Sequence, residues 1–226
     1  MISGGTRLVG LLGEPVAGSL SPLMQNAAFA ARGLDWAYVP LPVRPDALAD
    51  AVAGLVALGF AGANVTTPHK TAVAKLVSAP LASVNTLAVR EGEIAAWSTD
   101  AAILAQLEFE SAAIIGDGGA AAAFAEALPA ALRFARRGTW PPDVRNVDLV
   151  VHATSEREDV VVAVRAGQTL VDVPYPLTAT AREAERRGAR VVDGLEVLVA
   201  QGAASFELWT GVAAPVDVMR AAVRSA

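Results

Sequence analysis

The sequence predicts an α/β protein of two domains. Three observations carry that reading: short apolar runs alternate with Ala-rich helical runs, a hairpin signal closes the first half, and a glycine-rich turn joins strand to helix in the second. In the first half, strands are expected at 7–12, 37–42 and 62–66, with helices near 22–32, 45–58 and 68–77. Proline marks each helix start. Ser21-Pro22, Arg44-Pro45 and Thr67-Pro68 place Pro at the first helical position, where its missing N–H costs nothing, and Ser21 and Thr67 suit N-caps. Runs 84–90 and 93–97 flank Glu91-Gly92 and read as a β-hairpin.

A helix over about 99–107 is expected to bridge to a second unit. That unit reads as strand 111–115, helix 120–128, strands 132–135, 148–152 and 169–173, helix 178–187 and strand 190–192. Helices near 195–209 and 215–225 follow, and the chain's end is expected to pack on the first unit. The expected division is an N-terminal α/β domain with a mainly parallel sheet, residues 1–101 completed by about 197–226, and a compact second α/β domain over 102–196.

Composition excludes several function classes. At 226 residues, 54% hydrophobic and 18% charged, the chain can bury a core and does not read as disordered. Its apolar runs fall short of the ~18 residues of a membrane span, and residues 1–10 lack a signal-peptide apolar region, so a cytoplasmic protein is expected. No cysteine is present, and with two His no metal site is expected. A net charge of -5 argues against nucleic acid and for a small-molecule partner, the chain acting as monomer or homodimer. Positive charge is carried by 16 Arg and only two Lys, Lys70 and Lys75. Arg cannot release its proton near neutral pH whereas Lys can, so a retained Lys is a candidate for chemistry.

The turn Gly116-Asp117-Gly118-Gly119-Ala120-Ala121 follows an apolar strand and opens a helix, as the dinucleotide fingerprint G-x-G-x-x-G/A requires. Gly116, Gly118, Gly119 and Ala120 would let backbone approach a pyrophosphate at a helix N-terminus. Where NAD-binding folds carry an acidic residue about 20 residues on, this chain has Arg136 and Arg137, which suits a 2′-phosphate and hence NADP. In Asn64-Val65-Thr66-Thr67-Pro68-His69-Lys70, a strand ends in amide and hydroxyl groups and Lys70 enters a helix's first turn. A cation at that end opposes the helix dipole, which suits an amine that exchanges a proton. Asp100 is expected in the first turn of the bridging helix, where the dipole favours its charge, and it could hold Lys70 across a shared cleft. Ser19 and Ser21, two apart in extended chain, can present two hydroxyls to one side and suit a carboxylate. Asn85-Thr86 in an apolar strand and Gln201 in an apolar helix are polar groups that a plain core would have to satisfy for no gain.

Taken in order, Ser19-Leu20-Ser21-Pro22, the block from Asn64 to Lys70, Val84-Asn85-Thr86, Thr99-Asp100, the Gly116 turn and Gln201-Gly202-Ala203 with Phe206, Trp209 and Gly211 resemble the shikimate dehydrogenase family. The resemblance implies that Ser19, Ser21, Asn64, Thr66, Asn85, Asp100 and Gln201 hold the carboxylate and ring hydroxyls of shikimate, and that Lys70 and Asp100 form the catalytic pair. It implies that 1–101 with about 197–226 is the substrate domain and 102–196 a shortened Rossmann-type NADP-binding domain, and that the chain reversibly reduces 3-dehydroshikimate in aromatic amino acid biosynthesis, with NADP or alternatively NAD as cofactor. Departures cluster in the second half, where Asp117 replaces the family's Ala, 128–150 is short, and Ser155-Glu156-Arg157-Glu158-Asp159 replaces its Pro-Leu-Gly. They keep two alternatives open: a quinate-type dehydrogenase using NAD, or a binding protein that has lost cofactor use.

Overall fold

The computed structural model describes residues 2–226, which divide into unit 1, residues 2–99 with Val199–Ala226, and unit 2, Asp100–Leu198. Unit 1 is therefore discontinuous in sequence. Among the described residues no helix is long and apolar enough to cross a membrane.

Unit 1 is built on a five-stranded sheet of order β2-β1-β3-β4-β5, formed by β1 (Arg7–Gly13), β2 (Trp36–Pro42), β3 (Gly62–Val65), β4 (Thr86–Arg90) and β5 (Glu93–Trp97). Strand β1 pairs in parallel with β2 and β3, whereas β3–β4 and β4–β5 are antiparallel. The near-continuous apolar run of β1 fits a strand buried on both faces, and the prolines Pro40 and Pro42 fall on β2, an edge strand where a lost N–H is harmless. Glu91 and Gly92 close the hairpin with φ of 53° and 83°, the doubly positive pattern of a two-residue turn matched to strand twist.

Three helices follow the first strands: α1 (Ser21–Ala31), α2 (Leu48–Ala57), entered through a 3-10 turn at Pro45–Ala47, and α3 (Lys70–Leu76). Two expected helix starts differ. Ser21 is the first helical residue rather than the cap, and its N–H is met by the Ser19 hydroxyl at 3.2 Å. Thr67 and Pro68 lie in a turn, so α3 opens at Lys70 with His69, not Thr67, in the cap position. The bridging helix expected over 99–107 is reduced to a 3-10 segment, Ala102–Gln106, which leaves Asp100 ahead of it and outside any α-helical first turn.

Unit 2 holds β6 (Ala112–Ile115), α4 (Gly119–Ala127), β7 (Leu132–Phe134), β8 (Leu149–His152), β9 (Thr169–Asp172), α5 (Ala179–Arg186) and β10 (Arg190–Val192). Its sheet is parallel throughout, in the order β10-β9-β8-β6-β7. The chain leaves β6 toward β7 and then returns to β8 on the other side of β6. The C-terminal ends of β6 and β8 thus form the switch point at which such sheets bind ligands. Neither the β7–β8 nor the β8–β9 connection contains a helix. Instead Val144, Val147, Val161, Val162 and Val164 from these stretches pack on Ala113, Ile115, Val150 and Leu170 of the sheet, beside Ala181 and Ala184 of α5. Irregular chain that deep must have its backbone polar groups satisfied. Gln168 does much of this, donating to the carbonyls of Val144 and Val147 at 2.7 and 2.6 Å and accepting the Arg165 N–H at 3.0 Å. The Thr180 hydroxyl accepts the Val161 N–H at 2.9 Å.

The chain closes with α6 (Gly194–Thr210), within which the division between units falls, and α7 (Val216–Arg224), which packs on α1. In unit 1 the end of α6 is held by Phe206 stacked on Phe29, with centroids 5.4 Å apart, by Trp209 donating to the Leu87 carbonyl at 2.8 Å, and by Gln25 donating to the Gly202 carbonyl at 2.9 Å. A Cβ at Gly202 would run into the Met24 side chain, so glycine permits this close approach of α1 and α6.

Candidate functional site

Topology brings the chain segments of unit 1 that carry the candidate residues to one sheet edge. Strands β1 and β3 are parallel neighbours, so the segments leaving them, with Ser19 and Ser21 after β1 and Thr66 and Lys70 after β3, emerge at the same end. They are tied together there, Glu14 N–H donating to the Thr67 carbonyl at 3.1 Å and Thr66 N–H to the Leu12 carbonyl at 2.8 Å. The antiparallel β4 starts, and β5 ends, at that edge: Val65 N–H donates to Asn85 O at 2.8 Å and Asn85 N–H to Trp97 O at 3.1 Å. Lys70, half-buried, joins this group because its carbonyl accepts the Val84 N–H at 3.1 Å. Asp100, 7% exposed, follows Thr99 directly in the chain.

Beneath these residues lies a buried network. Asn64 Nδ2 lies 3.0 Å from Asn85 O, 3.1 Å from Thr86 Oγ1 and 2.9 Å from Ser205 Oγ, while its Oδ1 accepts from Tyr38 OH at 3.0 Å. Asn85 Oδ1 accepts the Thr99 N–H at 2.7 Å, and Asn85 Nδ2 donates to Thr99 Oγ1 at 2.9 Å and approaches Gln201 Oε1 at 3.5 Å. Ser205 completes it, 2.9 Å from Thr86 Oγ1 and donating to Gln201 O at 3.0 Å. A buried network whose members are mutually bonded holds each amide in one orientation.

In unit 2, Gly116 ends β6 with φ of +133°, and a Cβ there would sit 2.7 Å from Ala153 O at the end of β8. Only glycine fits so close a meeting of the two strand ends. A Cβ at Gly118 would meet nothing within 4 Å, so the space over the first turn of α4 is open, as a pyrophosphate cradle requires. Asp117 is exposed. Arg136 and Arg137 lie just past β7 and are also exposed.

The Arg136 guanidinium lies 5.8 Å from the Trp140 ring centroid and 3.8 Å from Glu156 Oε2. Glu156 Oε1 accepts the N–H groups of Arg157, Glu158 and Asp159 at 3.0, 3.1 and 3.3 Å. Those backbone donors, foremost Glu158 and Asp159, and then Arg136, hold its carboxyl below the usual glutamate range. Beside them runs a buried chain in which His152 Nδ1 meets Asp172 Oδ1 at 2.6 Å and Nε2 meets Thr154 Oγ1 at 2.7 Å. Asp172 Oδ1 in turn accepts from the Thr178 hydroxyl at 3.1 Å, and Thr178 caps α5 through the Ala181 N–H at 3.1 Å.

Two family models match stretches on either side of unit 2. Residues 11–87 fit the model of the shikimate dehydrogenase substrate binding domain, and 194–224 that of the shikimate 5'-dehydrogenase C-terminal domain. Shikimate dehydrogenase (NADP(+)) of Anaeromyxobacter sp. strain Fw109-5 is 42% identical over 272 positions, covering 99% of this chain and 98% of the relative. This chain belongs to the shikimate dehydrogenase family. Among solved structures, the Aquifex aeolicus shikimate dehydrogenase superposes with a TM-score of 0.88 at 27% identity, covering 99% of this chain and all of that one. The Thermus thermophilus enzyme in complex with NADP(H) and shikimate gives 0.83 at 28%, covering 97% and 99%. The alignment with the Anaeromyxobacter relative is longer than the 226-residue chain, so that family member has residues where this one has none.

The sequence did not mark five of these residues, Tyr38, His152, Glu156, Asp172 and Ser205, as candidates. Ser205 stands one helical turn after Gln201, and that spacing was the available signal; Tyr38 carried none. Glu156 and the His152–Asp172 chain were also missed, although an Asp closing an apolar strand is a signal of the same kind as Asn85.

Proposed function

We propose that this protein interconverts 3-dehydroshikimate and shikimate with NADP. The observation that supports this reading is the edge of unit 1 to which the segments carrying Ser19, Ser21, Thr66, Lys70 and Asn85 lead, with Gln201 approaching Asn85 and a fixed polar floor beneath. Relatives spanning the whole chain and named Shikimate dehydrogenase (NADP(+)) support it. The Ser19 and Ser21 hydroxyls suit the carboxylate of the substrate, and Thr66, Asn85 and Gln201 its ring hydroxyls. Asn64, engaged at both ends of its amide, holds Asn85 and Thr86 in place for that contact. Lys70 takes the proton from the hydroxyl being oxidised and returns it in the reverse direction; Asp100 is the carboxylate that orients the amine.

NADP, when bound, supplies the hydride acceptor and donor. The Gly116–Gly119 turn fits its pyrophosphate, with Ala120 in the helix turn behind, and Arg136 and Arg137 are the cations available to a 2′-phosphate. A reaction drawing on this cofactor fits a cytoplasmic setting. The deciding experiment follows reduced-nicotinamide absorbance with shikimate or quinate and each of NADP⁺ and NAD⁺. Turnover of shikimate with NADP⁺ is expected, and absence of turnover with every pairing would overturn the reading.

A further inference from the structure

Arg136 follows β7, the strand after the helix that the glycine turn opens, and dinucleotide folds read the ribose 2′ position at the end of that strand. Here the position is already supplied with a counter-charge. Glu156 comes from the opposite side of the switch point, four residues past β8, and is anchored rather than swinging. Its Oε1 accepts three consecutive N–H groups, and its own N–H donates to Thr154 Oγ1 at 3.2 Å. Only Oε2 remains, and it faces the Arg136 guanidinium at 3.8 Å. The Trp140 ring lies 5.8 Å from the same guanidinium, so Arg136 is bracketed by an aromatic face and a carboxylate.

We propose that Glu156 sets the cofactor preference, its carboxylate competing with a 2′-phosphate for Arg136 and so shifting the balance toward a dinucleotide with a bare 2′-hydroxyl. The inference rests on the dinucleotide reading of unit 2. A phosphate arriving at Arg136 meets a fixed negative group within about 4 Å of the cation it needs, whereas a hydroxyl meets a hydrogen-bond acceptor. Moving the carboxylate aside would break three backbone hydrogen bonds.

Glu156→Gln isolates the charge, because the amide oxygen can still accept the three N–H groups and keep the loop. Calorimetric titration of the full chain with NADP⁺ and with NAD⁺, before and after the substitution, reads the effect without turnover. The NADP⁺ dissociation constant should fall roughly five-fold, the size of one unit charge at this separation in water, while that of NAD⁺ stays level or rises. In an Arg136→Ala background, Glu156→Gln should leave the ratio of the two constants unchanged. A ratio that Glu156→Gln does not move with Arg136 present, or moves equally without it, overturns the role of Glu156 and leaves the dinucleotide reading standing. Failure of the unsubstituted protein to bind either nucleotide at millimolar concentration overturns both.

Discussion

In unit 1 the buried amides and hydroxyls of Asn64, Asn85, Thr86, Thr99 and Ser205 bond largely to one another, whereas in unit 2 those of Gln168 and Thr180 bond to the backbone of irregular chain. The first arrangement leaves regular strands to carry the fold and frees polar groups to shape a site. The second substitutes side chains for the missing crossover helices. Polar burial thus serves chemistry where secondary structure is complete, and serves folding where it has been cut back.

The sharpest way to break this contrast is Lys70→Ala, which should lower kcat by roughly 10²–10⁴-fold with little change in substrate KM. An unchanged kcat would take the chemistry away from unit 1. Next in size, Gln168→Ala removes three hydrogen bonds from the 135–168 region, at about 1–3 kcal/mol for each group left buried without a partner. Hydrogen exchange should accelerate through that region while β1 and α1 stay protected, and equal acceleration in both units would show that they do not differ as described. Ser205→Ala should cost only about 1 kcal/mol, because Asn64 Nδ2 keeps Asn85 O and Thr86 Oγ1. Chemical denaturation measures it; a loss above about 3 kcal/mol would mean the network lacks that redundancy.

The smallest effect is acid sensitivity. Asp143 is lowered to about 2 by the Arg145 guanidinium, and Asp148 is lowered chiefly by the Ser111 hydroxyl and the Glu110 N–H. Glu156 and Glu183 are lowered too, the latter mainly by Arg187. A carboxylate with a depressed folded value contributes stability above the ordinary carboxylate range and loses it as pH falls through the folded value. Among the described residues unit 2 carries four such groups and unit 1 only Asp46, so between about pH 4 and 2 exchange protection should weaken first in unit 2. Uniform weakening would contradict this.

Much of the frame was legible because local chemistry and final structure agree. Glu91-Gly92 could close only a tight hairpin, and Gly116 stands where two strand ends come close. Residues 99–107 misled because Ala, Leu and Gln favour helix, yet so short a segment lacks the turns to offset nucleation and settles as a 3-10 piece. Pro68 misled because a Pro before helical sequence reads as a first helical residue whether it stands in the helix or in the turn ahead of it. The five valines that cover the unit 2 sheet have no period to read, since they sit on chain without regular structure. Within the site, the residue types at the sheet edge were visible, but the floor beneath them was not. A serine inside an apolar helix does not announce which distant amide it will meet.

The split of unit 1 between residues 2–99 and Val199–Ala226 has a consequence for how the chain is made. On the ribosome, unit 2 is contiguous and can collapse as soon as it clears the exit tunnel, while the earlier-synthesised sheet must wait for the segment after unit 2 to bring Ser205, Phe206 and Trp209. The lobe whose synthesis starts first is therefore finished after the second, once α6 is available to close the floor under Asn64 and Thr86.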